Sequence, residues 1–237
     1  MPIKPKGFTL IELMISMAIF GIFSTAIFKV YIDNAEYHTS QERVATAQSN
    51  IRVSTLRMLG ELRLAGCDPT GNAEAGITTA DADTITFTMD ITGGETDGVD
   101  NDNDDPDNPD EADESNYSDG TIANTANFDE TVTYVLSGGD LTRNGAVIAE
   151  DIEVLNFVYL DGNGDPTATT ADMRSIQIAI IARAFDRNIS DNKTYKNLQG
   201  TTILNPSNLP ADDKPLNYRR RLVRTTIRLR NMGLEST

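Results

Sequence analysis

The sequence predicts an α+β protein in which one long N-terminal helix packs against a mostly antiparallel β-sheet head. Three observations predict this fold. The chain opens with an unbroken apolar run over residues 8–28, a stripe of apolar residues at helical spacing continues to about residue 66, and alternating segments typical of strands follow. A helix and a sheet with one apolar face each bury those faces against one another. The 237 residues are enough for a sizeable core.

The apolar run is long enough to cross a membrane. Residues 8–28 contain a single charged side chain, Glu12, and as a helix they extend roughly 30 Å, the thickness of a hydrocarbon core. Lys4 and Lys6 precede the run and the far flank is mixed in charge, so the positive-inside rule places the N-terminus in the cytoplasm and the head outside it. The run is too long for a secretory signal and lacks a small-x-small cleavage site. A simple signal anchor fits the hydropathy but leaves Glu12 unexplained, since a carboxylate in lipid costs a few kcal/mol.

The residues around Glu12 form a motif. Residues 6–14 read KGFTLIELM, which resembles the processing and methylation signature of type IV prepilins and type II secretion pseudopilins. The resemblance implies that a prepilin peptidase cuts between Gly7 and Phe8, that Phe8 is then N-methylated, and that Glu12 serves assembly by pairing with the Phe8 amine of a neighbouring subunit. It further implies that the protein is first located in the bacterial inner membrane and then in the pilus, in the periplasm or at the cell surface. The expected partners are other pilin or pseudopilin subunits, the peptidase, the inner membrane and the inner-membrane assembly platform.

The predicted helix continues beyond the membrane. Its apolar stripe consists of residues spaced by three, four and seven positions: Val44, Ala47, Ile51, Met58 and Leu62, widened by Leu59. The pattern stops near Gly66, which we expect to cap the helix. We therefore divide the chain into a leader (1–7), a transmembrane assembly helix (8–31), an amphipathic continuation (32–66) and a β-rich head (67–237) that carries an acidic insert (93–120).

Strand signals fill the head. Alternating or apolar segments predict strands at residues 84–89, 131–136, 153–159, 174–183 and 221–229. Asn144-Gly145 within residues 141–148 predicts a tight hairpin. Residues 186–215 are predicted to be a long polar loop. The runs at 149–160 and 219–231 are similar to those of PilW-type minor pilins and of pseudopilin J.

The acidic insert concentrates the negative charge of the chain. The protein has a formal charge of −16, and residues 95–119 contain twelve acidic and no basic side chains. One interpretation is a solvated surface loop. The other is a calcium site, because Asp100, Asp102 and Asp104 alternate and Glu111 follows at the spacing of a bidentate EF-hand glutamate. Asp105 stands where such a loop needs glycine, and nearby prolines restrict the turn.

A second, weaker calcium candidate lies in the head. Asp161, Asn163 and Asp165 alternate, and Asp172 follows eleven residues after Asp161. Pro166 replaces the usual glycine, and the alternative interpretation is a glycine-rich turn with incidental acids. No other cofactor is expected.

Composition excludes several functions. The strongly acidic balance argues against nucleic-acid binding. One cysteine, Cys67, and one histidine, His38, leave no internal disulfide, no cysteine-built zinc site and almost no histidine chemistry. No nucleophile elbow, metalloprotease helix or phosphate loop is present, so we do not expect an enzyme. Six arginines within residues 219–230 would offset the acidic insert or an acidic patch on a neighbouring subunit.

The function predicted from these features is that of a minor pilin, a filament subunit of a type IV pilus that takes part in assembly or initiation, with surface loops for adhesion. The large head favours a minor subunit, because its insertions would crowd a densely repeated fibre. Two alternatives stay open: a pseudopilin at the tip of a type II secretion pseudopilus, and a membrane-anchored calcium-binding adhesin outside any filament.

Overall fold

The computed structural model describes most of the chain, namely residues 7–69, 71–91, 122, 129–186, 191–209 and 217–233. These residues form one helix, α1 (Leu10–Leu62), and ten strands. The strands are β1 (Ile77–Ala80), β2 (Thr84–Thr88), β3 (Thr131–Ser137), β4 (Asp140–Arg143), β5 (Ala146–Ala149), β6 (Ile152–Leu160), β7 (Ser175–Phe185), β8 (Tyr195–Lys196), β9 (Thr202–Leu204) and β10 (Tyr218–Arg228). The chain divides into two compact units, Met1–Arg43 and Val44–Thr237.

In the first unit, helix α1 carries its apolar side chains on the outside. The helix is long and apolar enough to cross a membrane, with a mean hydropathy of 2.0 over its most apolar window and none of that window buried. Phe20 is 73% exposed and Ile22 is likewise 73% exposed. Because these side chains are exposed among the described residues, lipid or neighbouring apolar helices are the environment that would cover them.

In the second unit, one stripe of helix α1 is buried. The buried residues are Ala47, Ile51, Ser54, Thr55, Met58 and Leu62. They follow the predicted apolar stripe and add two hydroxyl side chains to it. The hydroxyl of Ser54 donates to the carbonyl of Asn50 at 2.7 Å, and that of Thr55 donates to the carbonyl of Ile51 at 2.5 Å. These bonds to the preceding turn satisfy the hydroxyls inside the core.

The helix ends earlier than its sequence pattern predicts. Its last residue is Leu62, and the chain turns through residues 63–66 before entering the head. Gly66 has a φ of +74° and donates its N–H to the carbonyl of Thr88 at 3.0 Å. A Cβ at this position would lie 2.8 Å from the sulfur of Met232. The positive φ of Gly66 therefore favours glycine at this turn, and a Cβ there would also displace the Met232 side chain.

The first sheet is a five-stranded antiparallel meander in the order β1-β2-β3-β4-β5. The hairpin between β4 and β5 turns at Asn144 (φ +49°) and Gly145 (φ +81°), which confirms the predicted two-residue turn. Phe87 of β2 and Tyr134 of β3 are completely buried and stack with ring centroids 6.5 Å apart. Strand β1 was not predicted, because its four residues show little alternation of apolar and polar side chains.

The second sheet has three antiparallel strands in the order β10-β7-β6. Strand β7 lies at the centre, and five consecutive residues from Ile178 to Ala182 are buried. Consecutive side chains of a strand point to opposite faces of the sheet, so a run of buried residues shows that the strand is covered on both faces. Strand β10 pairs with β7 from Tyr218↔Phe185 to Arg228↔Ser175 and forms one edge of the sheet. The head therefore contains separate sheets where the sequence pattern suggested a single one.

A small hairpin replaces part of the predicted polar loop. Strands β8 and β9 pair, and a short 3₁₀ helix follows at Pro206–Asn208. The side-chain oxygen of Asn197 accepts the N–H groups of Gln199 and Thr201 at 3.1 and 2.9 Å. The prediction of a long polar loop over 186–215 therefore missed this hairpin, because its strands are short and its polar side chains bond the backbone instead of alternating with apolar ones.

Candidate functional site

The first turn of helix α1 holds the charged residue of the apolar segment. Thr9 precedes the helix, and its N–H and hydroxyl both donate to Oε2 of Glu12, at 2.9 and 2.8 Å. In return, the N–H of Glu12 donates to the hydroxyl oxygen of Thr9 at 3.3 Å. This reciprocal pattern is a capping box, in which two N–H groups without helical partners are satisfied by side chains.

The capping box fixes the position of the Glu12 carboxylate. Because Glu12 is the third residue of the helix, its negative charge also lies at the positive end of the helix dipole. The carboxylate is thus held at the end of the apolar helix by its two hydrogen bonds from Thr9. Sequence reasoning singled out Glu12 but missed Thr9, although the spacing Thr-x-x-Glu was visible.

Gly7 and Phe8 lie in the open. A Cβ built on Gly7 would meet no atom within 4 Å, and the side chain of Phe8 is 90% exposed. The fold of the described residues therefore demands neither a glycine nor a phenylalanine at these positions. A requirement for these two residue types would have to come from another molecule that binds the residues before the helix.

The first calcium candidate cannot be placed. Asp100, Asp102, Asp104 and Glu111 lie outside the described residues. Calcium binding by the acidic insert stays a prediction.

The second calcium candidate forms a tight acidic turn. Oδ1 of Asp161 accepts the N–H groups of Asn163 and Asp165 at 2.8 and 2.9 Å. These backbone donors, that of Asp165 above all, lower the pKa of Asp161 below its usual value. Asp172 lies in a 3₁₀ helix at Thr170–Asp172. Within the part of the chain that the structure describes, no three His, Cys, Asp or Glu side chains are arranged to hold a metal ion.

Two ion-pair networks in the head escaped sequence reasoning. In the first, Glu61 of helix α1 accepts the hydroxyl of Tyr134 at 2.6 Å and the Nε of Arg143 at 2.8 Å, and it also pairs with Arg57. Arg143 contacts Asp129 as well. Burial alone would raise the pKa of Glu61, but these hydrogen bonds outweigh it and the pKa is lowered.

The second network surrounds Arg220. Its side chain is fully buried, and it donates to both carboxylate oxygens of Glu153 at 2.5 and 2.9 Å. Asp191 lies 3.4 Å from the same guanidinium and accepts the hydroxyl of Tyr195 at 2.7 Å. The alternation of apolar and polar residues does not distinguish a buried arginine from an exposed one, so this network could be found only in the structure. Both networks hold the head together and offer no open site.

Two models of known families match the chain, one near its N-terminus and one over most of the head. Residues 4–28 match the family model described as the prokaryotic N-terminal methylation motif. Residues 132–231 match the model of the type IV pilus-assembly protein W. The chain thus carries a prepilin methylation motif at its N-terminus and a segment similar to the type IV pilus-assembly protein W. The first match contains Gly7, Phe8 and Glu12, and the second runs from β3 to just beyond β10. The resemblances to prepilins and to PilW are thereby confirmed.

Two further comparisons concern solved structures and curated proteins. Among solved structures, a type IV-like pilin from Thermus thermophilus is similar to it, with a TM-score of 0.45 and 14% sequence identity, over 78% of this chain and 97% of the pilin. No curated protein matches the chain in sequence.

Proposed function

We propose that this pilin-like protein is a minor pilin of a type IV pilus that is cut between Gly7 and Phe8 and takes part in pilus assembly or initiation. The observation that carries the proposal is the first unit of the structure, an unburied helix whose apolar run over residues 8–28 contains a single carboxylate, Glu12, held in its first turn. Such a helix is stable in lipid and equally able to pack against the apolar helices of other subunits.

Open geometry around Gly7 supports the cleavage step. Since nothing in the described fold contacts this position, a glycine is needed only if another molecule must approach the backbone closely. A residue without a Cβ lets an extended chain enter a narrow peptidase site. Cleavage there would leave Phe8 as the new N-terminal residue, directly before the capping residue Thr9.

The capping box supports the assembly step. Both bonds from Thr9 end on Oε2 of Glu12, so the carboxylate is only partly satisfied for a charged group in lipid. The ammonium of Phe8 from a neighbouring subunit would neutralise the remaining charge, and the pair would set the axial register of the two helices. Leaving either charge unpaired in an apolar layer costs several kcal/mol, which makes the pairing selective for the correct register.

The test measures processing and filament entry in the same cells. The full chain is expressed in its native host, and mass spectrometry determines the N-terminus of the purified protein. We expect an N-methylated Phe8, and we expect Gly7→Val to retain the leader. An intact Met1, or a cut at any other bond, would overturn the proposed processing.

A second arm of the test addresses Glu12. We expect Glu12→Ala to be inserted in the membrane and cleaved normally, but to be at least about tenfold depleted from sheared filaments. Asp33→Ala removes an exposed acid from the same helix and is the matched control, with wild-type incorporation expected. Normal filament entry of Glu12→Ala would refute the assembly role. If sheared filaments contain none of the wild-type chain, the protein is not a pilus subunit.

A further inference from the structure

An open groove separates helix α1 from the edge strand β10 within the second unit. Its volume is about 520 Å³, and both elements contribute apolar and basic side chains to its lining. The apolar part is formed by Ile51, which is 2% exposed, by Leu56, which is 60% exposed, and by Val223. Arg52 of the helix and Arg221 of the strand flank this apolar part.

The two arginines that flank the groove form no ion pair with any described residue. Both side chains belong to exposed residues, and within the described ranges neither guanidinium has a carboxylate within 4 Å. Other arginines of the same elements are paired: Arg57 contacts Glu61, and Arg220 contacts Glu153. In a protein with a formal charge of −16, two arginines that line one groove and have no ion-pair partner among the described residues are a local patch of opposite charge.

The strand beside the groove also has an open backbone edge. Strand β10 is eleven residues long and pairs with β7 along its whole length, while no described strand pairs with its other side. An edge of this length offers a row of N–H and C=O groups to an incoming strand. The groove lies where the side chains of such a strand could reach the apolar floor.

The charge on β10 selects the kind of segment that can bind. If β10 paired with the same edge of a second copy, the exposed Arg221, Arg224 and Arg228 of one chain would come close to the same arginines of the other chain. Like charges opposite one another are unfavourable in a sheet. An extended segment rich in Asp and Glu would instead complement Arg52 and Arg221, and an apolar residue in it would cover Ile51, Leu56 and Val223.

We propose that this groove and the free edge of β10 form a docking surface for an acidic, extended segment of a neighbouring pilin-like subunit. The proposal rests on the proposed function, because it requires a second subunit beside this one. It adds a specific contact between heads to the contacts made by the apolar helices. The two arginines make the contact specific for an acidic partner, and the apolar floor provides the surface that is buried on binding.

Photo-crosslinking of the full chain in its native host tests the proposal. A benzophenone side chain replaces Gln48 in the groove, and a control benzophenone replaces Val147, which is exposed on β5. We expect the Gln48 probe to crosslink an Asp- and Glu-rich segment of another pilin-like subunit, identified by mass spectrometry of the joined peptides. We expect the Val147 probe not to reach that segment.

Charge variants then test the role of the arginines. With the Gln48 probe present, the double variant Arg52→Glu/Arg221→Glu should lose the crosslink about tenfold or more, and Arg52→Gln/Arg221→Gln should lose it less strongly. Arg228→Glu makes the same charge change on the same strand outside the groove lining, and it should retain at least half of the crosslink. Resistance to limited proteolysis shows that each variant is folded, as expected for substitutions of exposed side chains.

Each other outcome overturns the docking surface. A crosslink within one molecule, to β10 of a second copy, to lipid, or to a neutral or basic segment contradicts the acidic partner. An unchanged crosslink in the double Glu variant contradicts the role of the charge. Filament entry is measured in the same cells: a processed chain that enters filaments without a groove crosslink refutes the docking surface alone, whereas a chain absent from filaments refutes the proposed function.

Discussion

Replacing Arg220 with methionine should destabilise the head strongly. The guanidinium is fully buried, while the side chains of Glu153 and Asp191 are 10% and 7% exposed. Methionine fills a similar volume but leaves two buried carboxylates without their cation. Asp191 keeps two donors, the N–H of Lys193 and the hydroxyl of Tyr195, whereas Glu153 loses both of its hydrogen bonds from Arg220. Removing one partner from a buried ion pair costs about 3–5 kcal/mol. For a folded unit of this size that corresponds to a fall in Tm of about 6–20 °C.

The assay is thermal unfolding of the full chain in detergent, followed by near-UV circular dichroism of its tyrosines. Arg224→Met is the matched control on the same strand, since this arginine is exposed and makes only a 3.5 Å contact with the carbonyl of Lys196. The control should change stability by less than about 0.5 kcal/mol. The double variant Arg220→Met/Glu153→Met should recover part of the lost Tm, because it removes a stranded charge. Equal Tm values for Arg220→Met and Arg224→Met would refute the reasoning.

Three further predictions address other parts of the chain. Because the pKa of Glu61 is lowered in the fold, its carboxylate stabilises the protein above about pH 4.5, and this contribution is lost as pH falls through the lowered value. Glu61→Gln should therefore show a smaller fall in Tm between pH 5 and pH 3 than the wild type; an equal fall would contradict this. Thr9→Val removes the hydroxyl bonds of the capping box and should speed amide exchange at Leu10–Leu13 about fivefold, a cost of about 1 kcal/mol, whereas Thr9→Ser should not; equal exchange rates would refute the cap. Millimolar Ca²⁺ should raise the Tm of the full chain in detergent, and no shift, or the same shift with Mg²⁺ alone, would count against a specific calcium site.

Much of the fold follows from periodicity. The stripe from Val44 to Leu62 predicted the buried face of helix α1, because each of its apolar members lies one helical turn or two from the next. Alternation predicted the positions of β2, β3, β6, β7 and β10 to within a few residues. Asn144-Gly145 predicted the hairpin between β4 and β5, because two successive positive φ angles need such residues.

Other features of the fold and of the candidate site depend on contacts between residues that the order of apolar and polar residues in the sequence does not show. Helix α1 stops at Leu62, ahead of Gly66, where the backbone must turn to bond Thr88 far along the chain. The buried Arg220 occupies a strand position that polarity alone assigns to solvent. At the candidate site, the residue identities at Gly7, Phe8 and Glu12 were visible in sequence, but the bonds from Thr9 that aim the carboxylate required coordinates.

The closure of the capping box within one chain has a consequence for reversibility. In a single chain the Glu12 carboxylate already accepts two hydrogen bonds from Thr9. Its free energy in lipid is therefore lower than that of a bare carboxylate, and it has less tendency to pair with other cations. Docking onto a neighbour would exchange or extend those bonds, and undocking would restore them. The free-energy difference between the two states is correspondingly smaller than for a bare acid. In the proposed filament, a subunit could thus slip back into the lipid intact and be used again.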